Sequence, residues 1–218
     1  MAEKVKPQAV AEGQVLQKTK STFREYAEAI LMALVLALFI RTFIVQAFKI
    51  PSGSMIPTLL VGDHILVNKL SYGIRIPFVE KYLLNFGQPA RGDVIVFIYP
   101  EDRSKDFIKR VIGVAGDNVE VRNKKIYING KEVQDSHAHF EGYDPQLAGA
   151  VNGDSYGPKV VPENHIFVMG DNRDRSYDSR FWGYVNLSEV RGKAFLIYWS
   201  WDGGDRWVRW ERLGDLIH

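Results

Sequence analysis

Hydrophobic residues near the start of the chain form one long segment, whereas those that follow fall into short runs. Residues 29–40 are twelve consecutive apolar side chains, and after Arg41 and Thr42 the apolar character continues to Phe48. Twelve residues are too few to cross the ~30 Å hydrocarbon core of a bilayer, but residues 29–48 would cross it as a helix that rises ~1.5 Å per residue. The pattern predicts a membrane-spanning segment over residues 26–48.

Three other interpretations of this segment stay open at the level of sequence. It could be a buried core helix, although it is apolar on every face and the polar tail before it offers no cover. It could be a cleaved secretion signal, although no convincing small-x-small cleavage site follows it. The short span with its Arg41 would also suit a helix that lies in the membrane interface. An uncleaved signal anchor accounts for the pattern best.

The charges around the segment predict its orientation. Lys18, Lys20 and Arg24 precede it, and only Lys49 closely follows it. Because positively charged flanks stay on the cytoplasmic side, we expect residues 1–25 to form a cytoplasmic tail and residues 49–218 to lie on the outer side.

The chain beyond residue 49 has the pattern of an all-β domain. Short runs rich in β-branched and aromatic residues alternate with turn residues, and Asn129-Gly130 between two such runs is a strong hairpin signal. Residues 74–93 and 134–160 are predicted to be long loops, with a weak helical pattern at residues 79–86. The predicted fold is therefore mainly β, an antiparallel sheet or partly closed barrel on a single N-terminal transmembrane helix. The predicted strands are residues 64–70, 94–99, 107–114, 118–122, 125–128, 131–133, 165–170 and 193–201.

Composition removes several classes of function. The 218 residues include no cysteine, which excludes thiolate catalysis, disulfides and cysteine-based metal sites. The net charge is +2, and basic and acidic residues are equal in number from Thr42 onward. A neutral main domain lacks the basic surface of a nucleic-acid binder, so no nucleic-acid partner is predicted. The sequence does not indicate an oligomeric state.

Two segments combine backbone constraints with hydroxyl or charged side chains. In residues 50–59 (IPSGSMIPTL) two prolines flank Ser-Gly-Ser, and taken alone this is a turn that contains serines. In residues 106–116 (DFIKRVIGVAG) strand alternation puts Lys109 on one face and Arg110 on the other, each among bulky apolar side chains. Either both cations reach solvent from an edge strand, or Lys109 is pressed into apolar surroundings that disfavour its charged form.

A third segment, residues 169–183 (MGDNRDRSYDSRFWG), is dense in charged and hydroxyl side chains, which favours a hydrogen-bonded loop. It does not match an EF-hand calcium loop, because Arg173 stands where the third ligand belongs and no glycine follows at the sixth position. A solvated loop of mixed charge is the alternative. His137 and His139 stand in a long loop without further ligands, so neither a metal nor a cofactor is predicted.

Taken together and in this order, the segments resemble the bacterial type I signal peptidases. The likeness covers the apolar segment and the motifs PSGSMIPTL, DHILVNKLSYG, RGDVIVF, FIKRVIGVAGD and GDNRDRSYDSRFWG, which is most of the chain outside the two long loops. Each motif is modest alone, but their order behind a signal anchor is specific. The resemblance implies a single-pass serine endopeptidase of the bacterial inner membrane, in contact with membrane lipid, that removes signal peptides from secretory precursor proteins.

The resemblance also implies roles for individual residues. Ser54 would be the nucleophile, Lys109 the general base, and Ser52 a hydroxyl donor to the oxyanion hole beside the Ser54 backbone N–H. Supporting positions, which orient the lysine and brace the loop, fall on Ser176, Asp178 and Arg180.

Shallow apolar pockets in this family imply a preference for small residues before the cut. The position two before the lysine is often a tyrosine in the family and is Phe107 here, and many relatives have two membrane spans where one is predicted here. Two other functions stay open: a Ser/Lys protease dedicated to one substrate, and a tethered β domain that serves as a scaffold or adhesin. The positions that match the family's pocket lining are Phe48, Ile50, Met55, Leu59, Phe107 and Ile108.

Overall fold

The structure, a computed structural model, describes residues 22–75, 82–141 and 153–218. Most of the predicted cytoplasmic tail and parts of both predicted long loops lie outside the described residues. The helices are α1 (Thr22–Phe43) and α2 (Ser179–Trp182), with 3₁₀ turns at Arg173–Arg175, Leu187–Glu189 and Trp210–Arg212. The strands are β1 (Val45–Lys49), β2 (Asp63–Asn68), β3 (Gly73–Arg75), β4 (Tyr82–Asn85), β5 (Val94–Ile98), β6 (Asp106–Gly113), β7 (Asn118–Arg122), β8 (Lys125–Ile128), β9 (Lys131–Glu132), β10 (Tyr156–Val160), β11 (His165–Met169), β12 (Val185–Asn186), β13 (Val190–Asp202) and β14 (Trp207–Val208).

Helix α1 is the apolar segment near the N-terminus. Its 22 residues make a rod of ~33 Å, enough to cross the hydrocarbon core of a bilayer. Within the described part of the chain it is the one helix long and apolar enough to do so, and none of its residues is buried. The helix ends at Phe43, which corrects the predicted end at residue 48. The residues that follow form β1, because they pair along their whole length with β2.

Eight of the strands that the structure describes form one antiparallel sheet. Its order is β1-β2-β13-β5-β6-β11-β12, with β14 paired to β13, and it curls into a half-barrel. The predicted mainly β fold is confirmed. Strand β6 lies between β5 and β11, so it is not at an edge of the sheet. The interpretation in which Lys109 and Arg110 both reach solvent from an edge strand is therefore wrong, and both residues are buried.

A second sheet has the order β10-β7-β8-β9. The predicted hairpin at Asn129-Gly130 is confirmed, because both residues have the positive φ that a type I′ turn requires, 52° and 79°. The two predicted long loops are wrong in part. The first contains the β3–β4 hairpin, and the described part of its weak helical pattern is strand rather than helix. The second ends in β10, which pairs with β7. In both cases a partner strand stabilises an extended segment that has little strand pattern of its own.

The buried apolar side chains of the described residues form three clusters. The first lies around β2 and the loop after β1, the second between β5 and β11, and the third between β7, β8 and β11. Strand β6 contributes to all three, through Ile108, Val111 and Ile112 respectively. Lys109 and Arg110 therefore lie in the strand where the three clusters meet.

Candidate active site

Ser54 lies in the loop between β1 and β2, and main-chain hydrogen bonds close this loop at its base. The backbone N–H of Ile50 donates to Asp63 at 2.8 Å, and that of Gly62 donates to Ile50 at 3.0 Å. Met55, next to Ser54, is completely buried in the first core cluster. Ser54 itself is 9% exposed, so its hydroxyl is held in a fixed place at the surface of the core.

Lys109 reaches Ser54 from the middle of β6. Its Nζ donates a hydrogen bond to Ser54 Oγ at 2.6 Å and lies 5.6 Å from the centre of the Phe107 ring. Lys109 is only 4% exposed. Burial lowers the pKa of Lys109 to about 8; the charge of Asp178 opposes this shift and that of Arg180 adds to it. A lysine in this state loses its proton far more readily than one in water, and in its neutral form it can accept the proton of the serine.

Asp178 and Arg180 form a buried pair beside the lysine. Arg180 Nε donates to Asp178 Oδ1 at 2.8 Å and its Nη2 donates to Oδ2 at 2.9 Å. Burial acts to raise the pKa of Asp178, but the Arg180 charge and the hydrogen bonds that the carboxylate receives outweigh it, so the pKa is lowered. Ser176 is one of those donors, and its Oγ accepts from Gly170 N–H at 3.1 Å. In the described part of the chain no hydrogen bond joins Ser176 to Lys109.

Arg110 is paired on the opposite face of β6. Its Nε and Nη2 donate to the two carboxylate oxygens of Asp171 at 2.8 and 2.7 Å, and Thr58 Oγ1 donates to Asp171 Oδ2 at 2.6 Å. Arg110 and Asp171 are 2% and 0% exposed. Because Thr58 belongs to the loop of Ser54, this pair joins β6, the Ser54 loop and the segment after β11.

Asn172 holds the backbone of the Ser54 loop through hydrogen bonds, and Gly170 lies close against it. The N–H of Asn172 donates to the carbonyl of Ser54 at 3.1 Å, and its side-chain Nδ2 donates to the carbonyl of Gly53 at 3.2 Å. A Cβ at Gly170 would collide with the Ser54 carbonyl oxygen and with the side chain of Ser176. Sequence reasoning assigned no role to Gly170 or Asn172. The glycine at the end of a strand was the available signal, since such a glycine often marks a close backbone approach.

Five of the six predicted pocket residues share the first core cluster. Three are buried in it and two pack half-buried against it, whereas Phe107 packs against the second cluster. Ser52 is exposed in the bend before Ser54. The five that lie together are Ile50, Met55, Leu59, Phe48 and Ile108.

The chemistry available at this site is that of a nucleophile with an adjacent base. The hydroxyl and the amine are in hydrogen-bond contact, and the two aspartates whose charges act on the lysine are each paired with an arginine. Within residues 22–75, 82–141 and 153–218 no three His, Asp or Glu side chains lie close enough together to hold a metal ion.

Comparison with known proteins shows the family of the chain. The family described as signal peptidase, peptidase S26, matches residues 23–199. The signal peptidase I of Pseudomonas fluorescens is 40% identical over 81% of this chain and 72% of its own length, and that of Aquifex aeolicus is 38% identical over 81% and 84%. A solved signal peptidase I from Enterococcus faecalis is 31% identical, covers 49% of this chain and 96% of its own, and has a TM-score of 0.39. The sequence matches confirm the resemblance seen in the motifs: the chain belongs to the signal peptidase family, peptidase S26, and is a membrane-associated peptidase of signal peptides.

Proposed function

We propose that the chain cleaves signal peptides from exported precursors by a serine–lysine mechanism, with Ser54 as the nucleophile and Lys109 as the general base. The observation that carries the proposal is the 2.6 Å hydrogen bond between Lys109 Nζ and Ser54 Oγ, two groups whose residues are both buried. The low pKa of Lys109, about 8, supports it, because roughly one lysine in ten is then neutral at pH 7, against one in a few thousand in water.

The reaction takes place in two steps. In the first, Ser54 Oγ attacks the scissile carbonyl carbon while Lys109 Nζ takes the hydroxyl proton; the C–N bond then breaks and Lys109 gives that proton to the leaving amine. In the second, water attacks the ester that joins the signal peptide to Ser54 and passes a proton to Lys109. The ester C–O bond then breaks and Lys109 returns that proton to Ser54 Oγ, which restores the serine and releases the new carboxyl end of the signal peptide.

The negative charge of the tetrahedral intermediate needs donors that are in place beforehand. We assign this role to the Ser54 backbone N–H and the hydroxyl of Ser52, which is exposed two residues before the nucleophile. Loss of one such donor typically slows a reaction by ~10²–10³-fold. We also assign to Ser176 the orientation of the lysine, and to Asp178 and Arg180 the bracing of the loop beside it. The hydrogen bonds that these three residues share support the bracing.

A preference for small residues before the cut follows from the packing of the proposed pocket. Ile50, Met55 and Leu59 are almost completely buried in the first core cluster, so they form a packed base beneath the proposed pocket that would not give way to a bulky side chain. Half-buried Phe48, Phe107 and Ile108 would form the open side, where the substrate enters.

The proposed setting is a single membrane span, α1, with the N-terminal tail in the cytoplasm and the β domain outside. Lys18 and Lys20, which precede α1, and Arg24, in its first turn, support this orientation. Strand β1 begins two residues after α1 ends, and the Ser54 loop follows directly. A precursor held in the same bilayer by its own apolar segment would therefore present its cleavage site near Ser54.

The test is precursor cleavage by purified full-length protein in detergent or vesicles. Ser54→Ala and Lys109→Ala should each lower cleavage by about 10⁴-fold or more, because nucleophile and base act as a unit, while the circular dichroism spectrum stays unchanged. Ser104→Ala and Lys105→Ala, exposed residues of the β5–β6 turn, are the matched controls and should cleave normally. Cleavage retained by either active-site variant would contradict the mechanism. Several unrelated precursors would distinguish a general peptidase from one dedicated to a single substrate.

A further inference from the structure

The ring of Phe107 is fixed from behind by a group of aromatic side chains. Tyr99 stacks on it with ring centres 4.2 Å apart and planes 7° from parallel. Trp182 meets Tyr99 edge-on at 5.9 Å, and Phe97 lies 6.4 Å from Phe107. A ring in such a stack has little freedom to retreat, because protein interiors are close-packed and a shift would open a void.

Register shows which side of the ring faces the reaction. The backbone N–H of Tyr99 bonds to Lys105, two residues before Phe107 on β6, and Lys109 lies two residues after it. Side chains two apart on a strand share a face, so the Phe107 ring stands between Tyr99 on one side and the amine of Lys109 on the other. Tyr99 is 7% exposed, and Phe107 is half-buried.

Glu101 ties this stack to the loop that carries the supporting residues of the site. The hydroxyl of Tyr99 donates to Glu101 Oε2, and the hydroxyl of Tyr177 donates to the same oxygen at 3.4 Å. Burial, together with this contact, raises the pKa of Tyr99, so its hydroxyl stays protonated as a donor. Tyr177 lies between Ser176 and Asp178 in sequence, which means that one carboxylate links the pocket wall to the loop beside Lys109.

We propose that Tyr99 and Glu101 are positioning residues that determine substrate specificity: Glu101 holds Tyr99, Tyr99 holds the Phe107 ring against the site, and the fixed ring keeps the pocket too shallow for large residues before the cut. This inference rests on the proposed function, since it takes Ser54 and Lys109 as the reacting pair. It goes beyond that function because neither residue touches the substrate or the reacting atoms.

The size of the expected effect follows from how apolar pockets discriminate. One methylene more or less changes the relative rate of two substrates by roughly 10–200-fold. Replacing the Tyr99 ring by a smaller side chain would let the Phe107 ring move back and deepen the pocket by about the size of one methylene group. Precursors with a leucine before the cut should then gain relative to precursors with an alanine there.

The experiment measures kcat/KM of the full-length enzyme for two precursors that differ only in alanine or leucine before the cut. In Tyr99→Leu the ratio that favours alanine should fall by about tenfold. In Glu101→Gln, which keeps the size of the side chain but weakens its hold on both hydroxyls, the ratio should fall in the same direction by less. Tyr127→Leu and Glu132→Gln are the matched controls, because Tyr127 donates to Glu132 in the second sheet at 3.2 Å, and their ratios should stay at the wild-type value.

A ratio unchanged in Tyr99→Leu would overturn the inference, even if cleavage of both precursors slowed equally, since equal slowing indicates a merely structural role. Should Tyr99→Leu fail to fold, Glu101→Gln decides alone. A lower ratio of alanine to leucine cleavage would support the role of Glu101 in holding Tyr99, and an unchanged ratio would refute it. Ser54→Ala is run beside them. Cleavage by that variant would refute the proposed mechanism, whereas an inactive Ser54→Ala with unmoved ratios would refute only the specificity role of Tyr99 and Glu101.

Discussion

The two faces of strand β6 each carry a buried cationic side chain, but the two side chains have different kinds of partner. Lys109 and Arg110 are neighbours, 4% and 2% exposed, and each points into a different part of the core. Arg110 is bound by both oxygens of Asp171 and also donates to the carbonyl of Gly92. Lys109 has a hydroxyl, that of Ser54, as its hydrogen-bond partner. Burial is the same on both faces, and the difference lies in the partner.

This difference shows how the pKa of a lysine can stay low although acidic groups lie near it. Asp171 and Asp178 both act to raise the pKa of Lys109. Each of them, however, is already paired with an arginine, Asp171 with Arg110 and Asp178 with Arg180. The arginines satisfy the carboxylates, and the desolvation of Lys109 is left uncompensated. Arginine suits this task because it keeps its own charge when buried.

Breaking the paired face should have the largest effect. Arg110→Met leaves Asp171 buried without its partner, so the free energy of unfolding should fall by about 3–5 kcal/mol, as measured by urea unfolding in detergent. The double variant Arg110→Met/Asp171→Leu removes the whole pair and should recover much of that loss, since apolar replacement of a buried pair is often neutral. A single variant as stable as the wild type would contradict the account of this face.

Gly170 is the residue at which the two faces meet. Its N–H donates to Ser176 and Asp178 on the lysine side, and the next residue, Asp171, pairs with Arg110. In Gly170→Ala the new Cβ would push the Ser54 carbonyl away, so kcat/KM should fall by at least about 10²-fold, as expected for a displacement near 1 Å. Gly203→Ala, where a Cβ meets nothing within 4 Å, is the control and should keep full activity. Normal rates in Gly170→Ala would show that the close approach is not required.

Removing the unpaired charge should stabilise the fold, in contrast to Arg110. The pKa of Lys109 is lowered from 10.5 to about 8, so the charged amine is less favourable in the folded than in the unfolded chain. This penalty is fully present below about pH 8 and disappears as the pH rises towards 10.5. Lys109→Met should therefore raise the free energy of unfolding by about 3 kcal/mol at pH 7, with no gain above pH 10.5. Lys105→Met, at an exposed site, is the control and should not be stabilised at pH 7; a destabilised Lys109→Met at pH 7 would argue against a desolvated amine.

The smallest expected effect is a shift in the pH profile. In the wild type kcat/KM should rise with pH through a pKa of about 8 as Lys109 loses its proton. In Arg180→Gln the charge of Asp178 is no longer compensated, which favours the charged lysine and moves this rise to higher pH. Arg175→Gln, on the same loop but exposed and paired with Glu141, should leave the profile in place. A profile that stays put in Arg180→Gln would mean that this arginine does not help to set the pKa of Lys109.

Sequence patterns predicted the strands whose own composition favours extended backbone. All eight predicted strands are present, and Asn129-Gly130 forms the expected turn. The strands that were missed, such as β1, β3, β4 and β10, are extended because a partner lies beside them. For the candidate site, alternation along β6 put Lys109 and Arg110 on different faces. Nothing local indicated that Asn172 would hold the backbone of Ser54, because the two residues are far apart in the chain.

By itself, the sequence determined that one apolar segment could span a bilayer, that the rest is mainly β, and that motifs of the signal peptidase family follow in order. Only the tertiary structure decided that the buried charge of Arg110 is paired with a carboxylate of its own and that Lys109 is not. The physical reason is that periodicity and turn preference act between near neighbours, whereas the pKa of Lys109 depends on desolvation and charges contributed by segments from Ser54 to Arg180. Those segments come together only when the sheet has formed.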